Sequence, residues 1–199
     1  MSQETCRIVN ETKLDRIDLQ LAFQCAPLIV GLKPSNIFSI SSEDFFVMLR
    51  ILRNSKISWH VLGKKGDKMM IFLYHRESLD KYLKQKEVRK ILRKEGYICD
   101  NLDCIIKEFE KRYRRYLQNK EEFPHEMGLL LGYPVEDVVG FMKYKGDKSI
   151  YTGYWKVYKN KEKKIEMFQN FENAKESLIQ LLSYGVGMTD ILDICCNYV

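Results

Sequence analysis

The chain has 199 residues, 45% of them hydrophobic and 30% charged, a composition that excludes wholesale disorder and suffices for one domain with a proper core. With 11 Gly and 4 Pro it is neither collagen-like nor a Pro-rich linker, and its richest apolar run, residues 21–32, is broken by Gln24 and Pro27, short of the roughly 20 residues that span a bilayer. Lys and Arg outnumber Asp and Glu by 33 to 27, and the excess sits in the middle third: 17 against 9 over residues 61–120, compared with 7 against 6 before it and 9 against 12 after it.

Met1–Thr5 lacks a basic segment leading into an apolar one, so the reading is a soluble cytoplasmic protein without a membrane partner. The first element is a helix over 15–30, with Ile17, Leu21, Ala22, Cys25 and Leu28 at helical spacing and Pro27 placed to kink or end it. A loop over 31–35 leads to a short strand over 36–40. Ser42 is the expected N-cap of a helix whose stripe is Phe45, Met48, Leu49 and Leu52. Residues 57–62 read as a strand, 63–67 as a turn and 69–74, apolar on both parities, as a strand interior to a sheet.

Helices follow over 77–94, broken once, with Gly96 ending that region. The clearest helix runs over 102–118, with Leu102, Ile105, Ile106, Phe109, Tyr113, Tyr116 and Leu117 on one face and Glu108–Arg112 and Glu110–Arg114 as i,i+4 pairs. Pro124 opens a short helix that Gly132 closes, and Pro134 starts another with Val135, Val138, Val139 and Met142 inward. A strand over 150–158 precedes a long helix over 161–184 that buries Ile165, Phe168, Phe171, Ala174, Leu178 and Leu181, and an apolar segment over 191–195 packs on the body. The expected fold is a single α+β domain over 1–199: a small, mainly antiparallel sheet covered by helices, with a helical insertion over about 77–145.

The six cysteines, Cys6, Cys25, Cys99, Cys104, Cys195 and Cys196, show no Cys-x-x-Cys spacing. In a reducing compartment most are expected as free thiols, several of them buried. Among chemical motifs, Gly63-Lys64-Lys65-Gly66 lacks the order of a phosphate loop and is not followed by a helix. His125-Glu126 lacks the second His of a zinc helix, because position 129 is Leu, and a Gly-x-Ser-x-Gly elbow is absent. No metal or cofactor is identified.

Two segments stand out. Pro124-His125-Glu126 places an imidazole and a carboxylate at a helix start, where the backbone N–H groups favour an anionic Glu126 and a neutral His125. Strict alternation in Gly153-Tyr154-Trp155-Lys156-Val157-Tyr158 sets Tyr154, Lys156 and Tyr158 on one face and Gly153, Trp155 and Val157 on the other. Tyr, Lys and Tyr in line suit a planar anionic ligand, with Gly153 permitting close approach. The competing reading makes Trp155 core and gives His125 a role in pinning its own loop. His60 and His75 read as structural or surface residues.

Cys25-Ala26-Pro27, Gly31-Leu32-Lys33-Pro34, Phe123-Pro124-His125-Glu126, Gly132-Tyr133-Pro134 and Gly153-Tyr154-Trp155-Lys156-Val157-Tyr158, in this order over 21–182, resemble a domain-of-unknown-function family of anaerobic Gram-positive bacteria. The resemblance implies a bacterial cytoplasmic protein of one domain and carries no catalytic residues with it.

Three classes of function are compatible with these features. The first is a small-ligand-binding or regulatory protein whose pocket lies between the 124–131 helix and the 150–158 strand, with the Cys25–Lys33 segment beside it and His125, Glu126, Tyr154, Lys156 and Cys25 as ligand-binding residues. The second is nucleic-acid binding through the basic faces of 81–94 and 111–116, with Tyr113 and Tyr116 for stacking. The third is an enzyme with His125 as general base or Cys25 as nucleophile.

Overall fold

The computed structural model describes Arg7 and residues 14–196, so Met1–Thr5 and Cys6 lie outside the described residues. At the centre is a three-stranded antiparallel sheet of β1 (Ser35–Ser41), β2 (Ile57–Lys65) and β3 (Lys68–His75), in the order β1-β3-β2. The central position of β3 explains its two-faced apolar sequence. Ile71 and Leu73 enter one hydrophobic cluster, while Phe72 and Tyr74 enter another.

The first face is covered by α1 (Arg16–Ile29), α2 (Phe45–Leu52), the C-terminal half of α8 (Lys161–Ser183) and α9 (Met188–Cys196). Over the second lie α3 (Arg76–Leu83), α4 (Lys86–Lys94), α5 (Leu102–Leu117), α6 (Met127–Leu130) and α7 (Val135–Tyr144). The fold is thus α+β, with helices on both sides of a small antiparallel sheet. The segment over 77–145 forms the whole second layer.

Local chemistry accounts for the boundaries. Asp15 caps α1 by accepting the Ile17 N–H at 3.0 Å, and Pro27 lies inside the helix rather than ending it. The expected break between α3 and α4 falls at Lys84–Gln85, and the two expected carboxylate–arginine pairs on α5 form at 3.1 and 2.8 Å. α9 begins earlier than its apolar run, at Met188, because Asp18 of α1 accepts the Met188 N–H at 3.0 Å and caps it from a distance.

Several expectations are corrected. Ser42 is not a cap: it bonds to Asp67 across the turn, and α2 starts three residues later, behind Asp44. β2 continues through Lys65 to a tight turn at Gly66–Asp67, with a bulge between Val61 and Gly63. On α8, Ile165 and Leu181 are 39% and 37% exposed, and Ile179 and Leu182 are buried in their place. Val139 of α7 also faces outward. Most of the cysteines are expected as free thiols, but Cys99 and Cys104 are joined in a disulfide across the Asp100–Asn101 turn that leads into α5. Among the described residues no helix is long and apolar enough to cross a membrane.

The two halves of α8 have different neighbours. Its C-terminal half packs Leu178, Ile179 and Leu182 into the core, while Phe168 and Phe171 extend beyond it into a small separate cluster with Val157. One helix therefore packs against the sheet core at one end and against the segment around Val157 at the other. Removing the Phe72 ring from the second layer (Phe72→Ala) should cost about 3–5 kcal/mol, against under about 1 kcal/mol for Ile165→Ala; denaturant unfolding of the two variants checks this assignment of faces.

Candidate functional site

The region expected as one strand over 150–158 is a tight hairpin of β4 (Tyr151–Thr152) and β5 (Lys156–Val157), with Thr152 paired to Lys156. The Gly153 N–H donates to the Trp155 carbonyl at 3.1 Å, so the chain turns over Gly153-Tyr154-Trp155. The predicted alternation of faces therefore fails. Tyr154, Trp155 and Lys156 all reach the same hollow.

That hollow is a cavity of about 320 Å³ between the loop before α6, the inner face of α7 and the hairpin. Phe123, His125, Met127, Tyr133, Val138, Phe141, Tyr154, Trp155 and Lys156 line it, together with Thr152, Asp137 and the glycines 128 and 153. His125 and the hairpin, 29 positions from Tyr154 in the chain, thus face one space. Much of its wall is aromatic. Tyr133 stacks on Trp155 at 4.5 Å between ring centres, and the His125 ring lies 5.1 Å from Phe141 and 5.8 Å from Phe123.

Glycines let the walls approach. A Cβ on Gly128 would stand 2.8 Å from Val138, one on Gly140 2.3 Å from the Tyr158 ring, and one on Gly153 2.4 Å from Phe168. The role of Gly153 is therefore contact with α8 rather than access for a ligand.

The hairpin is held by a buried carboxylate that no motif signalled. Asp137 of α7 accepts from the Trp155 indole N–H at 2.8 Å, from the Tyr158 N–H at 2.8 Å and from the Lys159 N–H at 3.4 Å. Lys164 of α8, itself buried, sits 3.8 Å from Asp137 and donates to Glu136 at 2.7 Å. Burial alone would raise the Glu136 carboxyl, but the hydrogen bond and charge of Lys164 hold it below its ordinary value. The one sequence signal was Lys164 itself, at i−4 on the stripe of Phe168 and Phe171. Asp137, next to Val138 in the first turn of a helix, reads from sequence as a dipole partner only.

The polar groups differ in how much bonding capacity they retain. The Tyr154 hydroxyl donates to Glu172 at 2.6 Å, and burial together with that carboxylate pushes its ionisation well up. Lys156 Nζ donates to the Gly146 carbonyl at 2.6 Å, which leaves its other protons and its charge uncommitted. His125 Nδ1 is buried without a partner. α6, at four residues, is too short to give His125 and Glu126 the helix-start field expected from sequence.

Two expected site residues lie outside the lining. Glu126 turns away from the cavity, 4% exposed, and accepts from the Tyr97 hydroxyl at 3.1 Å and from Arg112 at 3.3 Å. It anchors the loop to α5, and in doing so leaves its neighbour His125 on the cavity side. Cys25 is fully buried in the cluster under α1, within 3.6 Å of Asn36, and burial pushes its thiol up to about 12. It carries no thiolate at neutral pH and is not brought to His125, so the Cys25 nucleophile is corrected to a core thiol.

Lys33, in the same segment, does border the site from behind. Its Nζ bonds to Asn36 at 3.0 Å and lies 5.1 Å from the Tyr133 ring centre, opposite no carboxylate among the described residues. His60 pairs with Glu110 at 2.6 Å and His75 with the Leu28 carbonyl at 2.8 Å, both structural. On the basic faces, Arg89 and Arg93 share Asp100, Arg114 and Arg115 hold Glu110 and Glu121, and Tyr113 is buried against Phe109. Among the described residues no three His, Cys, Asp or Glu side chains converge as metal ligands.

Residues 21–192 match the model of a family described as proteins of unknown function, DUF3793. The chain belongs to that family. No curated protein and no solved structure matches it. The family span takes in every residue of the cavity wall and stops within α9.

Burial lowers the Lys33 ammonium to about 8 from an ordinary 10.5, so the unfolded chain binds this proton more tightly than the folded one. The sign is a cost to stability that is fully present below pH 8 and disappears as pH rises toward 10.5. Lys33→Met should therefore stabilise the protein at pH 7 by up to about 3 kcal/mol, with the gain shrinking at pH 10; unfolding curves of both proteins at the two pH values check it.

Proposed function

We propose that this protein is a binding or regulatory protein for a small, flat, largely apolar molecule, held in the cavity between the His125 loop, α7 and the hairpin. The observation that carries this reading is the buried, unpartnered Nδ1 of His125 in a largely apolar wall rich in aromatic rings. A buried polar atom without a partner costs about 1–3 kcal/mol, and a ligand atom bonded there would recover that loss. Ligand pockets generally combine an apolar lining with a few placed polar groups, and here those groups are His125 and Lys156.

A binding role is favoured over an enzyme because His125 Nδ1 is hydrogen-bonded to no nucleophile of the lining. Asp137, its only carboxylate, is fully occupied by the hairpin and Lys164. His125 orients a ligand in this reading.

The chain has two tryptophans, so its proton–nitrogen NMR spectrum contains two indole signals, and Trp59→Phe assigns them. Titration with one- and two-ring aromatic fragments should move the Trp155 signal saturably while leaving that of Trp59 in place. If no fragment moves it at millimolar concentration, the cavity is not a binding site.

A further inference from the structure

The charge around the cavity narrows the chemistry of its ligand, an inference that rests on the binding role proposed for this cavity. Two ammonium groups at the site have no carboxylate partner among the described residues: Lys156 in the wall, held only by the neutral Gly146 carbonyl, and Lys33 behind Tyr133. The nearby negative charges are already engaged. Asp137 is taken up by three N–H donors and Lys164, and Glu136 is bonded to Lys164. Counting Lys33, Lys156, Lys164 and Lys175 against Glu136, Asp137 and Glu172 leaves one uncompensated positive charge next to a largely apolar surface, where a charge interaction is screened less than in bulk solvent.

We propose that the cavity takes a small aromatic carboxylate. The ring lies against the stacked pair Tyr133 and Trp155, and the carboxylate accepts from Lys156 Nζ and from the N–H of His125 in its Nδ1–H tautomer. An aromatic acid uses every open feature of the wall. A neutral ring leaves the charge unanswered, and an aromatic ammonium would meet Lys156 directly. A phosphate monoester fits less well, because the lining has no arginine and a single ammonium for two negative charges.

The test is calorimetric titration of the whole protein with 1-naphthoate, its neutral amide 1-naphthamide and 1-naphthyl phosphate. The carboxylate should bind at least tenfold more tightly than the amide and more tightly than the phosphate. Lys156→Met should erase the preference over the amide. Equal binding of carboxylate and amide overturns the proposal and leaves the aromatic binding site standing. Tighter binding of the phosphate overturns the choice of carboxylate. No binding of any of the three overturns this proposal, and the fragment titration decides the broader reading separately. The comparison among probes is made on the unmodified protein and needs no variant to fold.

Discussion

A single buried carboxylate sets the geometry on which the cavity depends. Asp137 binds the indole of Trp155 and the backbone at Tyr158, so it fixes both the side chain that forms the far wall and the end of the hairpin that carries it. A lone carboxylate in this position would be strongly destabilising, and Lys164 makes it tolerable by bringing the opposite charge from α8. Three N–H donors and the charge of the nearby Lys164 ammonium engage the carboxylate, so it serves as a strut. Three elements, α7, the hairpin and α8, meet at this point.

The rest of the site depends on how the larger fold delivers those elements. The sheet separates two hydrophobic layers, α8 runs out of one of them to support the hairpin, and α6 and α7 come from the other. Close contacts at Gly128 and Gly140 bring the walls together. On the opposite side, Glu126 is drawn into a buried contact with Tyr97 and Arg112, whose guanidinium lies 4.5 Å over the Tyr97 ring. Successive residues thus face opposite ways: Glu126 secures the loop and His125 remains toward the cavity. The hollow is a junction between layers, lined by the apolar surface that their packing leaves uncovered.

Much of the frame was legible in the sequence because it rests on periodicity. The face of α5, the α3–α4 break and the interior position of β3 all derive from the spacing of apolar residues, a signal that each element carries within itself. The approach of His125 to Tyr154 and Lys156 was expected from convergence of unusual residue types, and the structure brings those three to one space. What was illegible depends on partners distant in the chain. Strict alternation was the wrong rule for 150–158, since Gly153 turns the chain against Phe168. Cys25 and Glu126 look chemically available in sequence, and only their burial shows otherwise. Asp137 carried no mark at all, because its importance lies in partners 18 to 27 positions away. Ile165 and Leu181 were placed inward by a straight continuation of one stripe, whereas α8 changes neighbours midway, from the hairpin to the core.

The central claim, that the Asp137 carboxylate locks Trp155 into the cavity wall, is tested most directly by hydrogen exchange at the two indole N–H groups, followed by NMR. Trp59, 43% exposed, supplies the internal reference. The account predicts that the Trp155 indole proton exchanges at least about a hundredfold more slowly than that of Trp59, and that Asp137→Ala abolishes the difference. Equal exchange at the two indoles in the unmodified protein would contradict it.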